Sequence, residues 1–116
     1  MTLDDVTPSR ARVILRDALK ALKDELPTRL PVVVEYRALA GDACAYCRIA
    51  NRRGRRSFVI TIEKRYHVRH RLFLLAHEYA HALDWFNHED PELAYTMHPP
   101  SFGLWWARAH HVIFGD

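Results

Sequence analysis

Apolar residues in the first quarter of the chain recur at helical spacing. Ala11, Leu15, Ala18, Leu19, Leu22 and Leu26 form one stripe, as expected of an amphipathic helix resting on a core. Thr7-Pro8 marks its start, with Thr as N-cap and Pro at the first helical position, where a missing N–H costs nothing. Pro27 ends it. The β-branched residues of Val32–Arg37 read as a strand, Gly41-Asp42 as a turn. Residues 43–50 and 57–63 read as a hairpin joined by residues 51–56. In its second strand Phe58, Ile60 and Ile62 alternate with Ser57, Val59, Thr61 and Glu63, which predicts one strongly apolar face. Helical spacing returns from about residue 69 to 86, with Leu72, Leu75, Ala76, Tyr79, Ala80 and Leu83 on the buried face. Residues 87–100 read as a loop with a short turn around Glu92 to Tyr95, and Ser101 as the cap of a third helix reaching about Phe114. This order specifies an α+β domain, a small antiparallel or mixed sheet with a central helix, spanning residues 1–116 as one unit.

The length of 116 residues suits one domain with a modest core. A hydrophobic fraction of 49% and a charged fraction of 27% exclude a disordered chain. The run from Leu72 to Ala76 is five residues, against about 18 for a membrane span, so no membrane partner is expected. The start, Met1-Thr2-Leu3-Asp4-Asp5, is acidic and has no apolar signal region, which predicts a cytoplasmic protein. Cys44 and Cys47 are a single Cys-x-x-Cys pair. On a strand, residues three apart face opposite ways, so reduced structural thiols are expected rather than a disulfide or a shared metal.

Charge is distributed unevenly. Between Arg48 and Arg71 stand nine Lys or Arg against one acid, Glu63, a local charge of +8. Such a segment is a candidate DNA-binding surface, although a solvated hairpin has the same composition.

The chemistry concentrates in His77-Glu78-Tyr79-Ala80-His81, an H-E-x-x-H motif. Four helical residues advance about 400°, so the imidazoles sit about 40° apart, one turn above the other. Both nitrogens can reach one zinc ion at about 2.0–2.1 Å. Glu78 at the edge of that face is placed as general base for zinc-bound water and as the proton donor to a leaving amine. A third protein ligand is needed. The metzincin pattern requires Gly at 84 and His at 87, where this chain has Asp84 and Asn87. His88 falls one position off that pattern and reads as a surface residue. The remaining candidates are His98, Glu92, Glu89, Asp90, His110 and His111.

The motif, followed by Trp85, His98-Pro-Pro-Ser-Phe102 and Trp106, resembles the SprT-like (Spartan-type) metallopeptidases over roughly residues 69–114. The resemblance implies a zincin-like fold and a zinc-dependent endopeptidase. It implies His77, His81 and His98 as zinc ligands and Glu78 as base, with a protein or peptide substrate; a substrate associated with nucleic acid is suggested by the basic segment 48–71 and not by the resemblance. The chain departs from the family in having Pro99 where Gly is usual, and the zinc ribbon or long tails of many members are not expected in it. Glu92 as third ligand would instead resemble the ImmA/IrrE-type gluzincin peptidases. In a third reading, zinc is structural and the basic segment binds nucleic acid without catalysis.

Around the motif, Asp84 is a candidate acceptor for the far N–H of a ligand imidazole, and Tyr95 a candidate oxyanion donor. His67 and His70 are expected to face solvent or the helix start, and Trp85, Trp105 and Trp106 to belong mainly to the core. The implied fold offers strand 57–63 as an edge for an extended peptide.

Overall fold

The computed structural model describes residues 6–87 and 98–115. Helix α1 is Pro8–Glu25, and its cap is the expected one: Thr7 Oγ1 accepts the Arg10 N–H at 3.2 Å, with Pro8 opening the helix. Ala11, Leu15 and Leu22 are its buried residues. Strands β1 (Val32–Arg37), β2 (Ala45–Arg52) and β3 (Arg55–Glu63) follow, then α2 (Val68–Asp84), a 3-10 turn (Trp85–Asn87) and α3 (Pro100–Phe114). The architecture is α+β, with a three-stranded mixed sheet. No helix among the described residues is long and apolar enough to cross a membrane.

The strand order is β1-β3-β2, with β1 parallel and β2 antiparallel to β3. This corrects the placement of strand 57–63 at an edge. It is the central strand, hydrogen-bonded on both sides, and has no free ladder to offer a peptide. The central position also explains why both its faces are buried. Phe58, Ile60 and Ile62 lie in the core, while Thr61 on the opposite face is fully buried beneath flanking side chains. There Thr61 Oγ1 donates to Glu35 Oε1 at 2.8 Å, and Arg37 donates to the Tyr46 hydroxyl at 2.7 Å.

The hairpin is tighter than expected. Asn51 pairs with Arg56 and Arg52 with Arg55, leaving Arg53-Gly54 as a two-residue turn. Both turn residues have positive φ, 54° and 79°, the backbone hand that matches strand twist. Asn51 Oδ1 accepts the Gly54 N–H at 3.0 Å.

Helix α2 is the buried axis of the molecule. Its N-cap is His67, whose Nδ1 accepts the Arg69 N–H at 3.2 Å. Leu75, Ala76, Tyr79 and Ala80 are fully buried, and the Tyr79 hydroxyl donates to the Leu26 carbonyl at 2.7 Å, tying α2 to the end of α1. Leu22, Phe58, Ile60, Ile62, Leu75 and Tyr79 form the main core. A smaller cluster of Ala11, Leu15, Val68 and Leu72 lies where α1 meets the start of α2.

The cap of α3 also differs from expectation. Pro99, not Ser101, is the N-cap, and its carbonyl accepts the Phe102 N–H at 2.9 Å. Pro100 takes the first helical position, for the reason that Pro8 does in α1. The helix stops at Gly115, where φ is 76°.

Candidate metal centre

His77 and His81 stand on successive turns of α2, and His98 lies two residues before α3. Their ring centroids form a nearly equilateral triangle of 5.0, 5.4 and 5.0 Å. One nitrogen from each ring lies within 4.8 Å of the other two, so the cluster can hold a metal ion. His98 Nε2 is 3.2 Å from His81 Nε2. Two ligands about 2.0–2.1 Å from a tetrahedral ion are about 3.3–3.4 Å apart, so this pair already has the spacing of two ligands of one ion. His81 is buried, His77 half-buried and His98 exposed, which leaves the cluster a side open to solvent.

Burial and then the neighbouring His98 hold the His77 imidazole below its ordinary range. The neutral ring is the form that donates a lone pair to a metal.

One aromatic ring packs against all three imidazoles. Phe102, on the first turn of α3, has its centroid 4.4 Å from His81, 4.5 Å from His98 and 5.2 Å from His77. Trp106, one turn later, lies 5.0 Å from His77. These two residues give α3 an apolar wall behind the cluster, and such a wall controls water access and local dielectric. The sequence showed the Phe102–Trp106 spacing but not that the wall faces the imidazoles.

Glu78 is 2% exposed. Its neighbour across the core is Cys47 on the inward face of β2. Burial first, and then the charge of Glu78, push the Cys47 thiol well above its ordinary range. Cys44 lies just before β2, with its sulfur 3.2 Å from the Tyr66 hydroxyl. Both cysteines are free thiols, and neither is part of the histidine cluster.

Asp84 is 1% exposed, and its Oδ1 accepts from Asn87 Nδ2 at 3.0 Å. Glu78, His81 and Asp84 thus place three buried polar groups on two turns of one helix, where each carries a desolvation cost. Among the described residues, the other candidates do not join the cluster. His67 caps α2, His70 packs on Tyr66 with centroids 4.5 Å apart, and His110 packs on Phe114 at 4.6 Å. His111 lies in the last turn of α3. Trp85 packs on Phe58 at 5.6 Å, and Trp105 is covered by Arg108 at 5.1 Å. His88, Glu89, Asp90, Glu92 and Tyr95 lie outside the described residues.

No family model, curated protein or solved structure matches the chain.

Proposed function

We propose that the chain is a zincin-like, SprT-like zinc endopeptidase domain, with zinc held by His77, His81 and His98 and with Glu78 as general base. The observation that carries this reading is the convergence of three imidazole nitrogens beside a buried carboxylate on the same helix. Three nitrogen donors with an open side suit a catalytic zinc site. A purely structural site has no use for Glu78.

When bound, zinc supplies a Lewis acid for the substrate carbonyl and lowers the pKa of water. Glu78 accepts the proton of the attacking water as its oxygen bonds to the carbonyl carbon. It delivers that proton to the amine nitrogen as the C–N bond breaks. Phe102 and Trp106 hold the imidazoles in place and keep bulk water from behind them. The sheet face carrying Cys47 supplies the dry surroundings of the carboxylate.

The basic hairpin favours a nucleic-acid-associated substrate. Arg48, Arg52, Arg53, Arg55 and Arg56 are all exposed, and a phosphate backbone is the partner that such a concentration of guanidinium groups attracts. The same surface supports a second reading, in which the metal is structural and the domain only binds nucleic acid.

Cleavage of an unfolded protein such as casein by the zinc-loaded chain, with and without single-stranded DNA, separates these readings. Hydrolysis that is lost in Glu78→Gln supports the peptidase, and stimulation by DNA makes the hairpin part of it. DNA binding that survives in Glu78→Gln, with no hydrolysis by either protein, supports the second reading.

A further inference from the structure

A groove of about 600 Å³ runs between α1 and β1, at the opposite end of α2 from the histidines. Val68, in its lining, precedes His77 by nine helical residues, about 13 Å along the axis. The groove is therefore separate from the metal centre, and a ligand bound there is independent of the peptidase reading.

Three features of the groove point to one kind of occupant. The first is a free strand edge. Phe58 N–H donates to the Pro31 carbonyl at 2.8 Å, and Lys64 N–H to the Arg37 carbonyl at 3.1 Å. These bonds bracket the parallel ladder, so Val33, Glu35 and Arg37 direct their backbone groups toward β3. Val34 and Tyr36 direct theirs the other way, and among the described residues nothing pairs with them. Both residues line the groove.

The second feature is an apolar floor made by Leu15, Leu19 and Val68. The third is charge. Arg12 and Arg16 lie one turn apart on the α1 side, Lys64 and Arg71 on the other, and among the described residues no acidic residue lines the groove. Arg71 is held in place, its Nε donating to the Tyr66 carbonyl at 2.9 Å and its guanidinium 5.7 Å from the Tyr36 ring centroid.

We propose that this groove binds an extended, acidic and apolar segment of a partner protein, which adds as a parallel or antiparallel strand to the free edge of β1. Backbone bonds to Val34 and Tyr36 supply the pairing. Alternate apolar side chains of the segment reach the floor. Its carboxylates meet the four cations, which exclude basic segments by repulsion. The free stretch from Val32 to Tyr36 spans about 13 Å, so four to six residues of the partner are engaged.

The test uses fluorescence anisotropy with a fluorescein-labelled octapeptide alternating valine with glutamate, beside a counterpart with lysine in place of glutamate. The expected result is saturable binding of the acidic peptide, about tenfold or more tighter than its counterpart and weakening as salt rises. Arg12→Glu/Arg16→Glu, two exposed changes, weakens it about tenfold or more. Val34→Pro, tolerable on an edge strand because this N–H is outside the ladder, abolishes it. Circular dichroism checks that both variants are folded. Absence of saturable binding, equal binding of both peptides, or indifference to Arg12→Glu/Arg16→Glu overturns the proposal. So does binding that appears only after removal of residues 1–5, which assigns the groove to the chain itself. A concentration-dependent dimer that Val34→Pro dissolves, with no peptide bound, assigns the edge to a second copy and also overturns it. Displacement of the peptide by single-stranded DNA that Arg12→Glu/Arg16→Glu prevents gives the groove to nucleic acid, with the same consequence.

Discussion

Replacing Phe102 with Ala tests whether the histidine cluster depends on the wall behind it. The ring is 3% exposed and packs within 4.4–5.2 Å, centroid to centroid, of all three imidazoles. Truncating a buried Phe to Ala costs about 3–5 kcal/mol, through lost transfer energy and the cavity left behind. The unfolding entropy of a chain of 116 residues is about 0.24 kcal/mol/K. The metal-free variant should therefore melt about 12–20 °C below the parent. Freed rings also bind metal less well, and loss of supporting contacts around a ligand histidine typically costs about 10–100-fold in affinity. Thermal melts followed by circular dichroism give the first number, and competition against a chromogenic zinc chelator gives the second. Phe102→Leu, which keeps more of the volume, should fall between on both scales. A melting point within about 4 °C of the parent, equivalent to about 1 kcal/mol, refutes the packing. A large fall with unchanged zinc affinity refutes the coupling of that packing to the site.

Other parts of the structure give three more expected outcomes. Tyr79→Phe removes the bond from its hydroxyl to the Leu26 carbonyl and should cost about 1–2 kcal/mol in urea unfolding, with zinc content unchanged although the residue lies inside the motif. The Arg65 guanidinium, then the N–H groups of Leu39 and Arg65, hold the Glu63 carboxyl at about 2. Its unfolded value is about 4.3, so its contribution to stability is present above that pH and is lost as pH falls through about 2. Glu63→Gln should flatten the decline of the urea midpoint over that window. In native protein an alkylating reagent should modify Cys44 and spare Cys47, which is buried with a raised thiol. Equal labelling of both contradicts that placement.

Local signals carried much of this fold. The Thr7-Pro8 cap, the stripe of α1 and the β-branched run of β1 are short-range patterns, and these elements appear where the patterns lie. His77 and His81 were legible because helical geometry alone brings positions four apart together. His98 was not legible in that way. It reaches the cluster across a loop whose closure has no periodic signature, and only a family resemblance pointed to it. The parallel pairing of β1 with β3 was equally hidden, because strand order is a tertiary choice. Val59, Thr61 and Glu63 fall on the face opposite the strongly apolar one, yet all three are buried, since a central strand is covered by the side chains of both neighbours. Asp84 read as a candidate acceptor for a ligand imidazole; the structure buries it and pairs it with Asn87 of the 3-10 turn that follows.

Whether three histidines hold one zinc is decided by the metal content of the purified chain, measured by mass spectrometry beside Glu78→Gln and His98→Ala. About one zinc per chain is expected in the parent and in Glu78→Gln. Little is expected in a folded His98→Ala, where two imidazoles on one helix remain. Near-full zinc in His98→Ala would contradict the three-histidine site and move the third ligand elsewhere in the chain.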